Sequence, residues 1–170
     1  VTGYLGLGSN LGDRRAALQA AVDGLARRGV RSLASSATYE TDPVGDVLDQ
    51  PAFLNACVAI ATTLAPEALL AAVKDVEAEL GRETDTASPG YVHHGPRPVD
   101  VDVLLLGDVP HASPRLVVPH PALLVRRFVL IPLLELDFDL ATPDGVRLAD
   151  ALAVLPVSEG VRRAGPPLAV

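Results

Sequence analysis

Two aspartates, Asp100 and Asp102, are the residues whose type and spacing point most directly to chemistry. They stand in the run Val99-Asp100-Val101-Asp102-Val103, and residues two apart in a strand project to the same face. Both carboxylates then share one face while the valines share the other. Like charges held side by side are costly unless a cation neutralises them. Mg²⁺ suits such a pair, because it takes a few carboxylate oxygens and completes its shell with water and substrate phosphates. A strand edge with two solvated acids is the competing reading, and a bare Asp-x-Asp favours it. Gly95-Pro96-Arg97 just upstream shifts the balance. An arginine three residues before the pair could hold phosphates against metal ions.

Other side chains are less specific. Arg82 follows the helix-stopping Gly81, where it can serve a ligand or complement the helix dipole. His120, between Pro119 and Pro121, is held in a stiff segment that can present its ring to a ligand, although a plain turn histidine is commoner. Asn55 lies in an apolar run with Phe53 two residues before it. An amide beside an aromatic face suits a flat heteroaromatic ligand; core packing explains the same residues. Glu77, taken alone, reads as part of a solvated helix face. His93 and His94 are adjacent, without Cys or a further His at zinc spacing, and His111 has no informative context. Cys57 sits in an apolar run and reads as a small core residue. Gly6-x-Gly8 lacks the remaining spacing of a dinucleotide fingerprint, no P-loop lysine follows, and no Gly-x-Ser-x-Gly elbow is present.

The elements that must position these groups alternate along the chain. An apolar run from Tyr4 to Leu7 ends at Gly8-Ser9-Asn10, and Asp13 caps a helix carrying Leu18, Val22 and Leu25. A strand is expected from Val30 to Tyr39, then a loop from Thr41 to Pro51 whose length suggests function. A strand over Phe53–Thr62 leads to a helix opened by Pro66, with Leu69, Leu70, Val73, Val76 and Leu80 as its buried stripe. A second irregular stretch, residues 82–98, precedes the strand Val99–Leu106. A short extended piece at Leu116–Val118, a helix at Phe128–Leu136 despite Pro132, and a short helix near Leu148–Leu155 complete the list. A loose C-terminal tail is expected at about residues 157–170. The order strand, helix, strand, strand, helix, strand is that of an α+β, ferredoxin-like split βαβ core. Its sheet should be largely antiparallel, with helices on both sides and long loops at the site.

Composition narrows the function classes. The 170 residues suit a single domain, and 49% hydrophobic content is ample for a core. A formal net charge of -7 argues against nucleic acid and anionic membranes as partners. Arg82, Arg97, Arg115, Arg126 and Arg127 nevertheless share one half of the chain with the histidines and the Asp pair, which leaves room for a small polyanion such as a nucleotide. No run is long and apolar enough to span a bilayer, and no secretory leader pattern opens the chain. A cytoplasmic monomer acting on small molecules is expected.

Together the segments GLGSNLGDR (6–14), YETDPVG (39–45), QPAFLNA (50–56), ELGR (79–82), GPRPVDVDVLL (95–105), VPHP (118–121) and RRFVLIPLLEL (126–136) resemble the 6-hydroxymethyl-7,8-dihydropterin pyrophosphokinases of folate biosynthesis. The resemblance spans roughly residues 3–145. It implies transfer of pyrophosphate from Mg-ATP to the pterin hydroxymethyl group, with release of AMP and use of two Mg²⁺ ions. Carried onto matching positions, Asp100 and Asp102 hold the metals, Arg97 grips phosphates, Arg82 swings in with its loop, and Arg126 stabilises the transferring group. Glu77, Arg97, Arg115 and His120 match the ATP side. Thr41, Pro43, Val44, Phe53, Asn55 and Phe128 match the pterin pocket. The chain departs from the family pattern at His94, where tryptophan is usual, at Glu83 and Asp85 in a long loop, and at Arg127. A metal-dependent nucleotidyltransferase, releasing pyrophosphate instead of AMP, and a non-enzymatic ferredoxin-like binding module are the alternatives.

Overall fold

The computed structural model describes residues 1–42, 49–81, 98–157 and 160–170. Pro43 and Val44 of the first loop, and Arg82, Arg97 and His94 of the second, lie outside the described residues.

Strand β1 (Thr2–Ser9) leads to helix α1 (Arg14–Ala26), whose first turn is closed by the Asp13 carboxylate accepting from Ala16 N at 3.1 Å. The expected strand over Val30–Tyr39 is two, β2 (Val30–Ser35) and β3 (Thr38–Thr41). The break falls at Ser36-Ala37: Ser36 N bonds back to Cys57 O, while Ala37 N donates to the Glu135 carboxylate at 2.7 Å. β4 (Phe53–Thr62) and α2 (Pro66–Glu79) follow, with Pro66 in the first turn as expected. Gly81 beyond α2 has φ +88, a left-handed conformation that glycine adopts without Cβ strain. β5 (Asp100–Leu106) and the short hairpin of β6 (His111–Ala112) and β7 (Val117–Val118) come next. A 3₁₀ turn (Leu123–Val125) opens into α3 (Arg127–Leu136), then α4 (Leu148–Ala153) and β8 (Val161–Gly165).

The main sheet runs β5-β1-β4-β3-β8, with β2 also on β4, and every recorded pairing is antiparallel. With β2 and β3 counted as one interrupted strand, this is the order expected for a split βαβ core. Alternation assigns the faces. Leu5, Leu7, Leu54, Ala56, Val58, Ile60, Val101 and Val103 pack with α1 and α2. Cys57, Leu104 and Leu105 join α3 and α4 on the other side. Burying both faces leaves few places where the sheet can meet a ligand.

The expectation of a loose tail is corrected. Val161–Gly165 forms an edge strand on β3, and Leu168 beyond it is buried in the α1–α2 core. Arg15 Nη1 and Nη2 donate to Pro166 O and Pro167 O at 2.8 and 2.9 Å, which ties the last residues to α1. A proline- and glycine-bearing segment looks irregular in sequence because its order comes from partners about 150 residues away.

Candidate active site

Asp100 and Asp102 stand at the start of β5, half-buried, on the face that carries α3. Their partners across the ladder to β1 are Gly8 and Gly6. On the same face the row continues from Gly8 to Asn55 on β4 and Tyr39 on β3. Sequence inspection treats Gly8 as a turn former ending a strand; the structure places it inside β1. The signal was present as alternation, since Leu5 and Leu7 bury on one face while Gly6 and Gly8 fall on the other. Two residues without side chains thus lie beside two acids: Gly6, half-buried against the Leu104 side chain, and Gly8, buried beneath Asn55 and Phe53.

Asn55 makes the need for glycine specific. Its Nδ2 donates to Thr41 Oγ1 at 2.5 Å, and both residues are buried. Its Oδ1 lies over Gly8, where an added Cβ would come within 2.7 Å of it. Phe53 precedes Asn55 on the same face and pairs in register with Thr41, so an aromatic ring and an amide are neighbours, as the spacing predicts. The segment entering β4 is tied down: Asn10 Nδ2 donates to Gln50 Oε1 and Pro51 O, and Arg14 Nη1 donates to Ala52 O.

The opposite rim comes from the segment after β7. Val118–Pro119 is a cis peptide bond, and His120 N donates to Leu104 O at 3.0 Å, which docks the segment on β5. His120 Nδ1 accepts from Ala122 N at 3.0 Å, so in the neutral ring the proton resides on Nε2. Nε2 lies 4.0 Å from Asp102 Oδ1. Burial holds the His120 pKa below its ordinary value, the Arg126 guanidinium lowers it further, and Asp100 opposes both. Arg126 stands at the residue before α3 and lies over the Phe128 ring, 5.6 Å from its centroid. Asp100, Asp102, His120, Arg126 and Phe128 are therefore gathered by β5, the segment after β7 and the start of α3, adjoining the Asn55-Thr41-Phe53 group.

Glu77 is the largest departure from its sequence reading. It is fully buried on the inner face of α2, with Lys74 Nζ 3.4 Å from Oε1, and is no part of a solvated face. A carboxylate so placed is costly to keep unless paired or hydrogen-bonded. Arg115 stands apart, exposed on the β6–β7 turn beside the first turn of α2. Cys57 is buried, its Sγ 3.8 Å from Val129 O, and burial raises the thiol pKa, as suits a core residue. His111 and Glu135 gain contexts the sequence did not show. Both pair across long separations, His111 with Glu67 and Glu135 with Tyr39 and Ala37.

As a metal site, the donor set fits Mg²⁺. Among the described residues no group of three or more His, Cys, Asp or Glu could form a protein cage. Two half-exposed carboxylates two residues apart on one strand match a cation that takes most of its oxygens from water and phosphate.

The family model for 7,8-dihydro-6-hydroxymethylpterin-pyrophosphokinase (HPPK) matches residues 4–138. A 2-amino-4-hydroxy-6-hydroxymethyldihydropteridine pyrophosphokinase of Pseudomonas aeruginosa is 44% identical over 161 residues, covering 94% of each chain. A protein of the same name in Methylorubrum extorquens is 45% identical over 161 residues, 94% of this chain and 96% of its own. Among solved structures, an HPPK-DHPS in complex with substrates aligns with a TM-score of 0.67 at 12% identity, over 89% of this chain and 42% of that one. At that identity the structural likeness speaks for the fold alone. On the family match and these two bacterial relatives, the chain belongs to the 7,8-dihydro-6-hydroxymethylpterin-pyrophosphokinase family.

Proposed function

We propose that the protein transfers pyrophosphate from Mg-ATP to the hydroxymethyl oxygen of 6-hydroxymethyl-7,8-dihydropterin, releasing AMP, as a step of folate biosynthesis. The observation that carries this reading is the shared surface of the Asp100/Asp102 pair and the Asn55-Thr41-Phe53 group, joined through Gly8. An acidic site beside an amide and an aromatic ring suits the junction of a polyphosphate with a flat heterocycle.

Asp100 and Asp102 would hold two Mg²⁺ ions, which when bound neutralise phosphate charge and align the reacting groups. His120 presents Nε2–H on the same rim and, kept neutral by its burial and by Arg126, can donate to a phosphate oxygen. Arg126 places a fixed positive charge over Phe128, at the boundary between phosphate and heterocycle. Asn55 is oriented by Thr41, and Phe53 and Phe128 supply apolar faces for the pterin ring. Pro43 and Val44 belong to the pterin side of this reading. Arg82 and Arg97 would bring phosphate-gripping charge from the second loop. Glu77 and Arg115 belong to the ATP side. The loops would exclude water, so that pyrophosphate reaches the pterin instead of being hydrolysed. A monomer working in the cytoplasm completes the proposal, and the net charge of -7 leaves nucleic acid an unfavoured partner.

The test is AMP formation from Mg-ATP with 6-hydroxymethyl-7,8-dihydropterin as acceptor. AMP should appear only with the pterin present and should cease with EDTA. Release of pyrophosphate in place of AMP would replace this reading with a nucleotidyl transfer.

A further inference from the structure

The β6–β7 turn is fastened to α2 through one carboxylate. Glu67, in the first turn of α2, accepts a hydrogen bond from Ser113 Oγ at Oε1, and His111 Nε2 lies 3.2 Å from the same oxygen. Ser113 Oγ in turn accepts from Arg115 N at 3.3 Å and Leu116 N at 3.1 Å, and Ser113 N donates to Leu116 O at 2.9 Å. One side chain thus organises the backbone on which Arg115 stands. The Arg115 guanidinium has no ion pair with a described residue and is exposed, so it is available to an anion or a polar ligand.

The position of this cluster limits what it can touch. Glu67 and Glu77 lie ten residues apart on α2, a rise of roughly 15 Å at 1.5 Å per residue. Glu77 is near the end of α2 that leads toward the Asp-bearing start of β5, and Glu67 is at the other end. A nucleoside triphosphate whose reacting phosphates sit at Asp100 and Asp102 would have to extend its nucleoside along β5 to reach Arg115.

We propose that Glu67 is a positioning residue for nucleotide binding, holding the Arg115 turn through Ser113 so that the turn meets the nucleoside end of ATP. The proposal rests on the pyrophosphokinase reading of the site. Glu67 touches no reacting group in this role. Its negative charge near Arg115 would by itself oppose binding of a polyanion, so charge and positioning predict opposite effects of neutralising it. Removing the carboxylate frees the turn, and a ligand must then bear the cost of ordering it.

The experiment compares the intact chain with Glu67→Ala, Glu67→Gln, Ser113→Ala and Ser113→Thr. The readouts are Mg-ATP affinity by calorimetry, KM for each substrate, kcat, and Tm. Positioning predicts that Glu67→Ala and Ser113→Ala weaken Mg-ATP binding about tenfold, the size of one lost hydrogen bond to a charged group. The pterin KM and kcat should stay within about twofold. Ser113→Thr, which keeps the hydroxyl, should restore affinity, and Glu67→Gln should lie between wild type and Glu67→Ala. Tighter ATP binding in Glu67→Gln would overturn the proposal in favour of simple charge repulsion. Unchanged affinity in both alanine variants, or parallel losses in both substrates and Tm, would also overturn it. If the wild type binds Mg-ATP but forms no AMP, the pyrophosphokinase reading fails, while the affinity comparison still judges the role of Glu67.

Discussion

The Nε2 atom of His120 lies 4.0 Å from Oδ1 of Asp102, with the ring's other nitrogen already engaged by Ala122 N. That pairing sets the orientation of a polar N–H beside a carboxylate which stands next to a second one two residues away. The proposed metal site therefore has its charge on β5 and its neutral donor on a separate segment.

This division predicts unequal losses. Asp100→Asn and Asp102→Asn should each lower kcat about 100-fold or more, since phosphoryl-type transfer depends chiefly on electrostatic stabilisation of the migrating group. His120→Ala should cost less, about tenfold, because a neutral hydrogen bond is being removed. Steady-state AMP assays with folding checked by circular dichroism would measure all three. Asp variants retaining half of wild-type kcat would contradict the assignment.

Gly8 and Asn55 predict a steric result. A methyl group at Gly8 would approach Asn55 Oδ1 to 2.7 Å, so Gly8→Ala must displace the amide or the strand. We expect a stability loss of about 1–3 kcal/mol by urea denaturation. The KM for pterin should rise in parallel, whereas ATP affinity changes little. Asn55→Ala should raise the pterin KM with a smaller effect on ATP.

Tyr39 predicts an alkaline transition. Burial, followed by its hydrogen bond to Glu135 at 2.5 Å and that residue's charge, moves the phenol from 10.0 to about 12. The folded state therefore holds its proton more tightly than the unfolded state. The associated stability is present below about pH 10 and is lost as pH rises from there through about 12. Denaturation midpoints between pH 9 and 12 should fall less steeply in Tyr39→Phe than in the wild type, on the order of a few tenths of a kcal/mol for so exposed a group. Identical slopes would remove Tyr39 from the account.

The C-terminal strand predicts cooperative loss. Deleting residues 161–170 removes the pairing of β8 with β3, the burial of Leu168 and the Arg15 contacts to Pro166 and Pro167. Burial of Leu168 alone is worth roughly 1.5–3 kcal/mol, so the truncated chain should unfold at clearly lower denaturant. Because β3 carries Thr41, pterin KM should rise as well. A truncation with unchanged stability would show that the segment contributes nothing.

Local pattern was enough to mark the strand-borne Asp pair, the capped α1 beginning after Asp13, the Pro66 start of α2 and its buried stripe, and the order of a split βαβ core. Each depends on periodicity or cap chemistry within a few residues, which a linear sequence records directly. The motif series added the family and with it the expected site residues. Only the tertiary structure decided that Gly8 sits opposite Asp100, that Glu77 faces inward, and that residues 161–165 pair with β3. Those facts depend on register and packing between segments far apart in the chain. The link from Glu67 through Ser113 to the Arg115 turn is of the same kind, joining residues 46 apart in sequence through one carboxylate oxygen. A hydroxyl and an acid so separated carry no local signal, because their meeting depends on how the β6–β7 hairpin lands on α2.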